Sequence, residues 1–102
     1  MIALDAPVAE TSERHLGKSI GDDVTLACTI RGFPQDFVTW TLNTSDIPIG
    51  EKYDIRIEDV DNVTSILTLH IRQLVRQDFG VYTCRASNQY GATEANVHVE
   101  GL

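Results

Sequence analysis

Four residues set the frame of this chain: Cys28 and Cys84, 56 positions apart, the single tryptophan Trp40 between them, and Tyr82 just before the second cysteine. That cysteine closes the run Asp78-Phe79-Gly80-Val81-Tyr82-Thr83-Cys84. All four sit in stretches where apolar residues recur at every second position, the period of a strand with one buried face. Val24, Leu26, Cys28 and Ile30 alternate with Thr25, Ala27, Thr29 and Arg31. The same period runs through Val38, Trp40 and Leu42, through Tyr53, Ile55 and Ile57, and through Leu67, Leu69 and Ile71. It continues through Tyr82, Cys84 and Ala86 and through Ala95, Val97 and Val99. Each set is assigned to the inward face of a strand, and Leu74 is expected to plug the core. Turn signals such as Gly21-Asp22-Asp23 and Gln89-Tyr90-Gly91 separate the sets, at the spacing of about eight to twelve residues that marks an all-β sandwich. Pro7 to Ile20 reads as one more strand, broken near Arg14 to Lys18. The short link from Leu42 to Tyr53 leaves room for at most one further short strand.

Composition narrows the function. At 102 residues the chain is expected to form a single domain, with its core over about residues 7–100, and to bury roughly 65% of its unfolded surface. A net charge of -7, with eight Lys and Arg scattered along the chain, argues against a nucleic-acid partner, because no basic stripe faces a phosphate backbone. No apolar run approaches the ~20 residues that span a bilayer, so membrane attachment is expected only through other parts of a parent protein. The N-terminus shows no basic region followed by an apolar one, and Met1 is read as the start of a piece cut from a longer chain. Two acceptor triplets, Asn43-Thr44-Ser45 and Asn62-Val63-Thr64, predict N-glycosylation at Asn43 and Asn62.

The chemistry of catalysis and of metal binding is not prefigured. His15, His70 and His98 fall in separate segments, so no zinc site is expected, since structural zinc takes four convergent N or S ligands. Asp54, Glu58, Asp59 and Asp61 match no calcium loop and read as a solvated acidic edge. There is no nucleophile elbow and no glycine-rich phosphate loop. Neither an enzymatic role nor a cofactor is expected.

The Cys28, Trp40 and Cys84 framework, the motif Asp78-x-Gly80-x-Tyr82-x-Cys84 and the following Ala86-Ser87-Asn88-x-x-Gly91 together resemble the I-set immunoglobulin domains. The resemblance implies a two-sheet Greek-key sandwich with a disulfide between Cys28 of the strand lettered B and Cys84 of strand F. It also implies a structural set of Cys28, Trp40, Leu69, Asp78, Gly80, Tyr82, Cys84 and Gly91, none of which binds a ligand. Asp78 is expected to pair with Lys52 or Arg56 in an exposed ion pair, which would contribute about 0–1 kcal/mol. Phe79 stands where such domains usually carry alanine, a variant that leans toward adhesion proteins of the Lachesin and IgLON kind.

By the same resemblance the chain is expected to be a non-catalytic recognition module of an extracellular adhesion, receptor or matrix protein. Its expected partners are other proteins, of immunoglobulin or matrix type, bound homophilically or heterophilically. The alternative is a structural bead of an intracellular sarcomeric or cytoskeletal protein. Strand alternation places Phe37, Thr39 and Thr41 with Val81, Thr83 and Arg85 on the outer face of the C-F-G sheet. That face is expected to be poor in charge and is the candidate interface. The opposite sheet shows Arg31, Asp54, Arg56 and Glu58.

Overall fold

The computed structural model describes residues 4–102. Among the described residues nine strands follow in chain order: β1 (Asp5–Thr11), β2 (His15–Lys18), β3 (Val24–Phe33), β4 (Phe37–Leu42), β5 (Ser45–Asp46), β6 (Tyr53–Asp59), β7 (Thr64–Ile71), β8 (Gly80–Asn88) and β9 (Gly91–Gly101). A 3₁₀ turn, Arg76–Asp78, leads into β8. One sheet has the order β1-β3-β7-β6 and the other β2-β9-β8-β4-β5. Every pairing between these strands is antiparallel except β2 with β9, which is parallel.

The alternation read from the sequence sets the core. Val24, Leu26, Cys28 and Ile30 of β3 and Leu67, Leu69 and Ile71 of β7 are buried from one sheet; Trp40, Tyr82, Cys84, Val97 and Val99 meet them from the other. Leu74 is fully buried between β7 and the 3₁₀ turn. Full burial of a side chain of this size stabilises the fold by about 1.5–3 kcal/mol. The backbone crosses itself most tightly at Gly32, whose φ of 144° lies where side chains are disfavoured and where a Cβ would stand 2.7 Å from Pro7 Cα. There β1 shifts register against β3 between Asp5 and Val8.

Four expectations change. The segment Arg14 to Lys18 is mostly strand β2, and the break falls earlier, at residues 12–14, so that β1 serves one sheet and β2 the other. Ile57, assigned inward, is 52% exposed. Its strand β6 is a sheet edge, and from Arg56 onward all its residues are exposed, so this end runs past the core. Thr41, assigned to the exposed outer face, is only 5% exposed; it lies between β8 and the two-residue edge strand β5, opposite Thr83 and Asp46. Gly91 opens β9 and is not the last residue of the turn.

Candidate functional site

The two sheets are joined at their centre. Cys28 of β3 and Cys84 of β8 form a disulfide with Cα atoms 6.4 Å apart. Trp40, the register partner of Cys84, donates its indole N–H to the Leu67 carbonyl of the facing sheet at 3.2 Å. The indole is thereby buried with its one polar atom satisfied.

A second fixed point lies where the 3₁₀ turn meets β8. The Tyr82 hydroxyl donates to the Asp78 carbonyl at 2.6 Å. The Asp78 carboxylate accepts from the Val75 N–H at 2.8 Å, from the Tyr53 hydroxyl and from Lys52 Nζ at 2.7 Å. Lys52 Nζ also donates to the carbonyls of Arg72 and Gln73. The expected exposed pair is in fact a buried one on its acidic side, since the Asp78 side chain is only 2% exposed. Arg56 instead pairs with Asp54. Burial alone would push the Asp78 pKa up, but Lys52, Tyr53 and the Val75 N–H outweigh it and hold the group below the usual carboxylate range. Burial, with help from Asp78, pushes the Tyr53 hydroxyl up to about 12 and raises Tyr82 as well.

The outer face of the five-stranded sheet carries the candidate interface. Phe37 is 55% and Val81 37% exposed. They lie near opposite ends of the face, beside Ser87 and His98 respectively. Between them Thr39 is half-buried, Thr83 donates its hydroxyl to Asn96 Oδ1 at 2.8 Å, and Arg85 pairs with Glu94 at 3.2 Å. The face is less poor in charge than expected, because the outward positions of β9 add Glu94 and Glu100. Its β4 and β8 part is sparse in charge, with Arg85 the one charged side chain among Phe37, Val81 and hydroxyl groups.

The histidines also differ from expectation. Register pairing across β2 and β9 puts His15 directly opposite His98, with ring centroids 5.6 Å apart. Glu100 lies beside both. No local spacing signals this, because the pairing joins distant parts of the chain through a strand expected to be interrupted. His70 is alone on the other sheet, hydrogen-bonded to Thr25 Oγ1 at 2.8 Å. The acidic residues of the β6–β7 corner do not converge: Asp54 pairs with Arg56, Asp59 accepts from the Ser65 hydroxyl, and Asp61 accepts from the Val63 N–H.

The two acceptor asparagines differ in their surroundings. Asn62 is exposed in the β6–β7 turn. Asn43 is exposed too, in a turn with φ of 49°, but its side chain is engaged. Its Oδ1 accepts from the Val81 N–H at 3.0 Å, and its amide lies over Gly80, where an added Cβ would stand 2.6 Å from it.

The model of the immunoglobulin I-set domain matches residues 7–100. The chain belongs to the immunoglobulin I-set family. I-set relatives include Lachesin of Drosophila melanogaster, 28% identical over 92% of this chain and 26% of that protein. The neuronal cell adhesion molecule of Gallus gallus is 34% identical over 95% of the chain, and human fast-type myosin-binding protein C is 36% identical over 78%. The chain spans only 7% of each of these two. Among solved structures, a complex of Dpr2 Ig1-Ig2 with DIP-Theta Ig1-Ig3 contains a chain that superposes with a TM-score of 0.89. At 24% identity, over 95% of this chain and 32% of that one, the likeness is one of fold. Membership supports a non-catalytic protein-interaction module. One of these relatives is named for neuronal cell adhesion and another for binding myosin.

Proposed function

We propose that this I-set domain is an extracellular recognition module of a longer protein, and that it meets its partner through the outer face of the five-stranded sheet. The observation that carries the reading is the disulfide between Cys28 and Cys84, because such bonds persist in oxidising compartments and are rare in the cytosol. The exposed acceptor Asn62 supports the same compartment. For the partner surface, Phe37 and Val81 stand exposed on a face whose central positions are hydroxyl side chains, with Arg85 beside them, a composition suited to an interface core. The partner is a protein, of immunoglobulin or matrix type. The complex formed by the Dpr2 and DIP-Theta domains, close to this chain in fold, supports an immunoglobulin-type partner. The acidic surface argues against nucleic acid, and attachment to a membrane would come through other parts of the parent.

Expression of the chain through a secretory host tests the compartment. Intact mass before and after reduction is expected to show a bonded cysteine pair, and peptide mapping to show glycan at Asn62. Occupancy at Asn43 is expected to be lower, because its amide would have to leave Gly80 and Val81. Two free thiols together with unmodified asparagines would favour the intracellular bead, the reading to which the myosin-binding relative points.

A further inference from the structure

We propose that His15, His98 and Glu100 form a surface site for a divalent transition metal of the zinc class, with two imidazoles and one carboxylate as its protein ligands. The fold builds it from two neighbouring strands. Parallel pairing sets His15 of β2 against His98 of β9, and alternation returns Glu100 to the same side of β9. One ligand atom from each of the three lies within 4.8 Å of the others. The Glu100 carboxylate is 3.1 Å from His98 Nδ1 and 3.8 Å from His15 Nδ1. Donors held tetrahedrally at about 2.0–2.1 Å from zinc stand about 3.3 Å apart. The His98 and Glu100 edge already has that spacing. The His15 side chain is 73% exposed, so a rotation of its ring closes the remaining gap without moving the strands.

The donor set is one that metal binding can use, because a dication takes imidazole nitrogens in their neutral form and a carboxylate oxygen in its ionised form. Imidazole with a carboxylate suits zinc, copper or nickel better than the hard ions calcium and magnesium. The neighbouring groove, lined in part by Glu10, Glu94 and Arg14, sets two carboxylates against one guanidinium. Two of the three ligands are exposed, which leaves the fourth position to solvent.

The test is a calorimetric titration of the tag-free chain with Zn²⁺ near pH 7.5, with proton NMR of the imidazoles followed in parallel. One Zn²⁺ per chain is expected, with the His15 and His98 ring signals shifting together while His70 stays still. His98→Ala and Glu100→Gln are expected to lower affinity by about tenfold or more, and His70→Ala to leave it unchanged. All three side chains lie at the surface or partly so, and thermal melts of the metal-free variants check that each remains folded. Ca²⁺ is expected to leave the rings unshifted. The proposal is overturned if Zn²⁺ does not bind, if folded His98→Ala and Glu100→Gln bind it as well as the parent, or if His70→Ala removes the binding.

Discussion

Asp78 carries more of the fold than its position at the end of a short 3₁₀ turn suggests. Its carboxylate serves three donors from two segments, and its carbonyl serves Tyr82. Asp78→Asn keeps the shape but replaces a charged acceptor with an amide that has hydrogens of its own to place. Because a neighbouring Lys52 is left without its counter-ion, we expect a loss of about 2–4 kcal/mol, measured by urea unfolding. The pH dependence follows from the direction of the shifts. The folded Asp78 pKa lies below its unfolded value, so its contribution is present above about pH 4 and disappears as pH falls through the folded value. Tyr53 is raised from 10.0 to about 12, so stability declines again between those values as the unfolded chain ionises first. Asp78→Asn should flatten the acid limb and leave much of the alkaline one. The motif around Tyr82 made this corner legible in the sequence, and Lys52 was one of two named partners. Its burial was not legible, because depth depends on how the β6 and β7 ends fold over the 3₁₀ turn.

Among the elements, strands with strict alternation between two neighbours were read correctly: β3, β7 and β8 have the faces their sequences dictate. Errors gather at the edges. Ile57 on β6 and the interruption assigned to β2 both belong to strands with a neighbour on one side only, where pattern no longer reports burial. Thr41 fails for the opposite reason, since a two-residue edge strand covers a position whose parity alone says exposed. The central tie between β3 and β8 yields a direct prediction. Closing a 56-residue separation restricts the unfolded chain enough to contribute about 4 kcal/mol in the loop-entropy account. Reduction, or replacement of Cys28 and Cys84 by alanine and valine, should lower the urea midpoint accordingly. The sandwich should persist, because Trp40, Leu69 and Tyr82 remain packed around the site. Loss of the far-ultraviolet β signal on reduction at low temperature would contradict this.

For the whole molecule, the question is which broad surface is functional. Val81→Asp or Thr83→Asp places an acidic charge on the β8 part of the outer face, where Arg85 is the one charged side chain. Either is expected to weaken partner binding or self-association about tenfold, the scale of a modest interface position. Thr68→Asp, on the opposite sheet, should leave association unchanged. Sedimentation across a concentration series reads self-association, and surface-immobilised partner reads binding. Equal loss from both faces would move the contact to the ends of the domain. The sequence located this face through Trp40 and Cys84. It missed Glu94, Glu100 and the paired histidines, because the outward side of β9 matters only once β2 and β8 are known to flank it.

The parallel pairing of β2 with β9 also gives the domain a mechanical character. The chain enters β2 at His15 and leaves β9 at Gly101, and the two strands run the same way. A pull on the two ends therefore drags the strands past each other lengthwise. The ladder between them, closed by the His98 N–H on Arg14 O at 2.8 Å and the Leu102 N–H on Lys18 O at 2.9 Å, is then loaded all at once and not opened bond by bond as in a peeled hairpin. Stretching single molecules should show resistance concentrated at this seam. Lys18→Pro removes the N–H that lies on the same side of β2 as the Lys18 carbonyl, facing β9, and should lower the rupture force, whereas Lys18→Ala keeps that N–H and should leave the force unchanged.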